Sequence, residues 1–484
     1  MVRQKYDLII WIRVCAFTCS FAAGCPYQEC SCDGYEISCQ DLGLPAIPRL
    51  TGASSGFDSL LLGSNHITTI PAGSLPSGLL SLSLLDNPIA TIDENAFNGS
   101  ATTLRSLSIS RANFSRIPDA FGHLQNLKYF DFYDTNIVNW NDDVMKKLGQ
   151  TMINLDLEKV GLKMWPHWLN NYSSLNDLTV DFNQISSLPD DALNKMIFNL
   201  TGLSISNASL TSVPRAISKL VNLESLHLYA NKISNLTWLP PPKKLTTLSL
   251  NNNLISDAKH LSDMLRPFNE TLASLEIDRN MLTAIPDFSF LNQVSSLDFS
   301  FNRISDPTSG ALSNELYDFD LSNNCLPSIP TVWRSLVSST SMYLSHNLIS
   351  HIEQADFHEF LMEINLSFNM LTELTDSSFP AHTKLFALYL NNNPIATISN
   401  HAFDGLDSLN TLNLQHTRLT RMPLALTSVL TLYTLDMSDS SDLVCTCAEK
   451  SLETWIMTVK QVNGQCGETD INEFFATLSP MCPP

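Results

Sequence analysis

NPIATIDENAFNG, residues 87–99, returns almost letter for letter as NPIATISNHAFDG at residues 393–405. Aligning the flanks of the two copies exposes a shared frame, L-x-x-L-x-L-x-x-N-x-L. It is clear in LLSLSLLDNPI (79–89), LESLHLYANKI (223–233), LTTLSLNNNLI (245–255) and LMEINLSFNML (361–371). Degenerate copies included, 17 frames start at residues 57, 79, 104, 127, 152, 175, 200, 223, 245, 272, 294, 316, 339, 361, 385, 409 and 432. A mean step of about 23.5 residues marks a chain built by stacking one supersecondary unit many times.

The frame carries its own physics. Apolar residues at positions 4 and 6 alternate with polar ones, which is the period of a strand. One such coil cannot cover its own apolar side, so neighbours must stack, and each buried leucine contributes roughly 1.5–3 kcal/mol. An Asn at position 9 can turn the chain while its amide serves buried backbone groups of adjacent coils. Eleven frames keep it: Asn65, Asn87, Asn183, Asn231, Asn253, Asn280, Asn302, Asn324, Asn347, Asn369 and Asn393. Ala112, Thr135, Val160, Ala208, Thr417 and Ser440 replace it elsewhere. Three of these replacements are consecutive, so altered curvature or looser packing is expected across 104–162.

The chain has 484 residues, with Lys+Arg 28 against Asp+Glu 48 and a net charge of -20. That balance argues against nucleic-acid phosphates and anionic lipid, and favours basic partners. Residues 1–24 combine Arg3 and Lys5, an apolar run and Ala22-Ala23-Gly24, the pattern of a secretory leader. No uninterrupted apolar stretch is long enough for a membrane span. Four cysteines cluster early (Cys25, Cys30, Cys32, Cys39) and four late (Cys445, Cys447, Cys466, Cys482), which suggests disulfide staples in an oxidising compartment. Within each cluster three pairings are open. Sequons at Asn98, Asn113, Asn171, Asn199, Asn207, Asn235, Asn269 and Asn365 agree with export as a glycoprotein. Cys325 stands alone at frame position 10. It reads as a small half-buried residue, with an intermolecular disulfide, and hence a dimer, as the alternative. No nucleophile elbow, H-E-x-x-H, phosphate loop or C-x-x-C occurs. The expectation is a non-enzymatic chain without metal or cofactor.

The frame, the Ile-Pro turns (Ile70-Pro71, Ile117-Pro118, Ile285-Pro286, Ile329-Pro330) and the Ala-Phe pairs (Ala96-Phe97, Ala402-Phe403) resemble the extracellular leucine-rich-repeat family. The chain is also similar to Toll-like-receptor and decoy-type ectodomains. The resemblance implies an α/β, β-rich fold: a curved, right-handed leucine-rich-repeat solenoid with a parallel concave sheet, disulfide-capped at both ends. It divides the chain into a leader (1–24), an N-terminal cysteine cap (25–48), about 17 repeats (49–443) and a C-terminal cysteine cap (444–484). It further implies the pairs Cys25–Cys32, Cys30–Cys39, Cys445–Cys466 and Cys447–Cys482, with Trp455 packing the second cap onto the last coil.

Positions 2, 3, 5, 7 and 8 of each frame face outward on the expected concave sheet. In coils 4 to 6 they carry Tyr129, Asp131, Tyr133, Asp134, Asp156, Glu158, Asp177, Asp181 and Phe182. His227 and Tyr229 follow, then Glu276, Asp278, Asp298, Asp320 and Tyr343 in coils 10 to 13. Aromatic rings beside carboxylates suit a protein ligand with basic patches. The expected function is a secreted recognition module binding protein on this face; the alternative is a structural matrix or adhesion protein. Asn365 also faces outward, so a sugar there would confine a partner to earlier coils.

Overall fold

The computed structural model describes residues 25–51 and 56–482; the expected leader, 1–24, lies outside the described residues. The chain forms two compact units, one ending at Lys128 and one starting at Tyr129.

In the first unit a short hairpin, Ser31–Asp33 with Glu36–Ser38, opens the sheet. Glu36–Ser38 pairs in parallel with Ser59–Leu61, which pairs with Ser81–Leu84, which pairs with Ser106–Ser110. The position-4 residues are register partners, Ile37 to Leu60 to Leu82 to Leu107. All four are buried. The N-terminal cap therefore extends the sheet by two strands, one antiparallel and one parallel, as well as covering it. Cys25–Cys32 and Cys30–Cys39 bridge this end. Buried Tyr27 donates its hydroxyl to the Ser74 carbonyl at 2.7 Å and ties the cap to the outer turns.

In the second unit, parallel strands run from Tyr129–Tyr133 through Asn154–Glu158, Asp177–Thr179, Gly202–Ser204, Ser225–His227 and Thr247–Ser249 to Ser274–Glu276. A further parallel set starts at Ser296–Asp298 and ends with Thr434–Asp436 and Gln461–Asn463. Position 4 again holds register: Leu155, Leu178, Leu203, Leu226, Leu248 and Leu275 in the first set, and Ile364, Leu388, Leu412, Leu435 and Val462 in the second. The last strand belongs to the C-terminal cap, bridged by Cys445–Cys466 and Cys447–Cys482. Trp455 is buried there and donates its indole N–H to the Val429 carbonyl at 2.9 Å. Two of the longer steps carry an α-helix in the outer segment: Asp142–Leu148 lies between the frames at 127 and 152, and Ala258–Leu265 between those at 245 and 272.

The asparagine column links coil to coil. Asn253 Nδ2 donates to the Leu228 carbonyl of the preceding coil at 2.9 Å, and its Oδ1 accepts from the Ile233 N–H of that coil at 2.9 Å. Asn347 repeats this with the Leu321 carbonyl and Leu326 N–H, and Asn393 with the Leu366 carbonyl and Leu371 N–H. Each buried amide thus satisfies groups of its neighbour that no water can reach. Where Asn is missing, hydroxyls serve in part. Thr417 Oγ1 donates to the Leu414 carbonyl and sits 3.3 Å from Ser440 Oγ.

The stretch 104–162 takes in the end of the first unit and the start of the second. Ala112, Thr135 and Val160 are all buried at position 9. The strands here, Ser106–Ser110, Tyr129–Tyr133 and Asn154–Glu158, run to five residues where most others have three. In coils 4 and 5 rings fill the interior: Phe130 stacks on Phe132, and Phe132, Trp140, Trp168 and Tyr172 follow in contact. Phe130 and Phe132 hold positions 4 and 6 of coil 4, while Trp140, Trp168 and Tyr172 come from the outer segments of coils 4 and 5.

Position 8 adds a feature the frame does not announce. In each of the seventeen coils its residue has a left-handed backbone, from Ser64 (φ 55°) to Asp439 (φ 56°). Asp41, in the turn after the N-terminal cap strand, shares it (φ 55°). Asn207, Asn252, Asn323 and Asn392 adopt it readily, but Phe182, Ala230, Phe301 and Phe368 adopt it against a cost of about 1–2 kcal/mol. The turn that hands the chain from the sheet into the asparagine column is imposed by stacking, whatever residue sits there.

Candidate functional site

Coils 4 to 8 of the second unit place an acidic group on one face of the parallel sheet. Strand alternation sends positions 3, 5 and 7 to the side away from the buried leucines. Asp131 and Asp156 are register partners at position 5, with Thr179 next, while Tyr133 and Glu158 are partners at position 7. Adjacent strands lie about 4.8 Å apart. Four carboxylates, Asp131, Asp156, Glu158 and Asp181, therefore stand within three neighbouring strands.

Asp156 lies at the centre. Tyr133 donates its hydroxyl to Asp156 Oδ2 at 3.1 Å, whereas Oδ1 is buried and has no hydrogen-bond partner among the described residues. Burial pushes its carboxyl up to about 7, helped by the charges of Asp131, Glu158 and Asp181 and opposed by the Tyr133 hydroxyl. Asp181 is pushed up to about 6, again mainly by burial. It accepts from Ser204 Oγ at 2.8 Å and from the Ser206 N–H at 2.6 Å, and Tyr229 also bonds to it. Glu158 is raised by burial and by Asp134, with Lys159 opposing. Lys159 is itself taken by Asp134 at 2.8 Å. Gly202 sits where an added Cβ would strike the Asp177 carboxylate, so the absence of a side chain there makes room for that carboxylate on the neighbouring strand.

The other expected residues fall differently. Tyr129 is 37% exposed and Phe182 46%, both on the rim of the acidic group. His227 follows on the Ser225–His227 strand. Position 7 points outward, yet Asp181 is only 6% exposed and Asp278 8%, because hydrogen-bonding neighbours close over them. Asp278 pairs with Arg279 Nη1 at 2.7 Å, and that guanidinium lies 4.3 Å from the Phe301 ring centre. Glu276 accepts the Ser249 hydroxyl. Asp298 and Asp320 each take the N–H two residues ahead, of Ser300 and Ser322, at 2.7 Å. These local turns consume one oxygen of each and end the strand at position 5. Tyr343 lies half-buried on its strand. The expected acidic surface is thus two unlike halves: a mutually repelling cluster in coils 4 to 6, and carboxylates already tied down in coils 10 to 12. Cys325, expected to be half-buried, is exposed. No group of three or more His, Cys, Asp or Glu among the described residues is placed to hold a metal ion, and no helix among them is long and apolar enough to cross a membrane.

The model of the leucine rich repeat family matches residues 173–233 and 359–419. Mouse podocan is 25% identical over 384 residues, covering 75% of this chain and 56% of its own. Mouse lumican is 27% identical over 260 residues, covering 52% of this chain and 72% of its own. Drosophila melanogaster chaoptin is 30% identical over 188 residues, covering 38% of this chain and 14% of its own. The chain thus spans less than two thirds of the length of chaoptin and podocan. Among solved structures, Drosophila Toll in its complex with Spatzle aligns with a TM-score of 0.64 at 18% identity, covering 85% of this chain and 58% of that one. A leucine-rich-repeat protein of Leptospira interrogans aligns at 0.60 and 19% identity, covering 84% and 95%. At such identities the likeness is one of fold.

Proposed function

This chain is a leucine-rich-repeat protein bridged by disulfides near both ends, and from that premise we propose that it is a secreted, non-enzymatic recognition module. Its leader would be 1–24, its caps 25–48 and 444–484, and its repeats 49–443. The partner is a protein with basic patches, docking on the sheet face of coils 4 to 8; nucleic acid and membrane insertion are not part of the reading. The observation that carries it is Asp156, a buried carboxylate with one oxygen unpartnered and three carboxylates around it. An arginine or lysine from a partner would relieve the repulsion among these carboxylates, and charge-assisted bonds of this kind are the strong ones. The structural relatives support a protein partner, since mouse RP105 (TM-score 0.56, 18% identity) and Drosophila Toll are each seen in complex with one.

A matrix or adhesion role is the second reading, weighed beside the likeness to podocan and lumican. Reversing Asp131, Asp156 and Asp320 together separates the two. Loss of a salt-sensitive protein partner captured from extracellular fluid supports recognition; fibre binding that tolerates the reversal supports the matrix role. Exposed Cys325 would permit a covalent dimer, which non-reducing electrophoresis of wild type against Cys325→Ser decides.

A further inference from the structure

We propose that Asn365 is a glycosylated position whose first sugars lie along the sheet between Tyr343 and Tyr389, closing coils 13 to 15 to protein partners. The proposal rests on export of the chain and deepens the reading above by marking off which part of the sheet stays open.

Of the eight sequon asparagines, Asn365 alone lies within a strand, Glu363–Asn365. Its register partners are Tyr343 on one side and Tyr389 on the other, all three at position 5 and so on the same face. With strands about 4.8 Å apart, the two rings flank the amide at a spacing that a pyranose ring can span. The C–H face of such a ring packs against the electron-rich face of an aromatic one.

The amide is also set up chemically. Asn365 Oδ1 accepts both the Ser367 N–H at 3.1 Å and the Ser367 hydroxyl at 2.7 Å. Its Nδ2 donates to no other described residue. In the transfer, Nδ2 forms a bond to C1 of N-acetylglucosamine carried on a lipid diphosphate. The C1–O bond breaks, the diphosphate leaves with the electron pair, and the nitrogen gives up one proton. The oxygen-side hydrogen bonds to Ser367 are compatible with the linked product, because only Nδ2 is substituted.

A sugar lying on the sheet between two rings is shielded from trimming enzymes, whereas one on an outer turn is not. The test is site-resolved glycopeptide mass spectrometry of the full chain secreted from animal cells. Asn365 should be occupied and keep oligomannose sugar, while Asn98 and Asn171 carry processed sugar. Tyr343→Ala with Tyr389→Ala should convert the Asn365 sugar to processed forms, and the two Tyr→Phe changes should not. Asn365 bare while other sequons are occupied overturns this proposal and leaves export standing; all eight bare overturns both. Processed sugar at Asn365 in wild type, unchanged in the alanine variant, overturns the packing between the tyrosines.

Discussion

Asp131 and Asp156 are register partners on adjacent parallel strands, two carboxylates set side by side on one face of the sheet. Like charges directly across a strand pair are destabilising. Burial, and then Asp131, push Asp156 up to about 7. Because the folded value lies above the ordinary value near 3.9, the charged form is disfavoured in the fold. Stability is therefore lost as pH rises from about 4 through about 7. Asp156→Asn is expected to be more stable than wild type at pH 8, by on the order of a few kcal/mol, and little different at pH 4. Urea denaturation at both pH values checks this; an equal effect at both would count against the raised carboxyl.

The same groups make binding of a basic probe pH-dependent. A lysine octamer should bind best above pH 7 and weaken as pH falls through about 7 and about 6, where Asp156 and Asp181 take up protons. Binding should release protons, measurable by calorimetry in buffers of different ionisation enthalpy, and should weaken with salt. In the Asp131→Asn, Asp156→Asn variant most of the pH dependence should vanish. If it persists, the probe sits elsewhere.

Asn347→Ala removes donors to the Leu321, Leu344 and Ser345 carbonyls and the acceptor for the Leu326 N–H. Leaving such groups buried and unpaired costs about 1–3 kcal/mol each when none is rescued. Chemical denaturation should show a loss of at least that size. Asn347→Thr should recover part of it, as Thr417 does in its own coil. No difference between the two variants would contradict the role given to the column.

Much of this architecture was legible because burial imposes a period. Leucines at positions 4 and 6 announced strands, and Leu60, Leu82 and Leu107 duly stand in register. Alternation tells which side a residue faces, but not what closes over it, so the covering of Asp181 and Asp278 stayed hidden. The self-bonding of Asp298 and Asp320 was readable in principle from their Asp-x-Ser spacing. The cap strands Glu36–Ser38 and Gln461–Asn463 were missed because they lack the leucine at position 1. Position 8 left no trace in composition, since stacking forces one backbone shape on Ser, Asp, Arg, Phe, Lys, Ala, His and Asn alike.

That last point is itself testable. Ala230 has φ 53°, an uncomfortable conformation for alanine. Ala230→Asn should stabilise the fold by about 0.5–1 kcal/mol, since Asn tolerates this region through its own local hydrogen bonding. A clear destabilisation in denaturant titrations would show that the left-handed turn carries no strain.

The central claim is that the acidic cluster of coils 4 to 6 is where a basic protein docks. Carboxyl-group footprinting of the secreted chain, alone and with the partner captured from extracellular fluid, tests it most directly. Protection should concentrate on Asp131, Asp156 and Glu158, and capture should fail for Asp131→Asn, Asp156→Asn, Glu158→Gln. Protection on the outer turns with these three carboxylates unchanged, or undiminished capture by the triple variant, would contradict it.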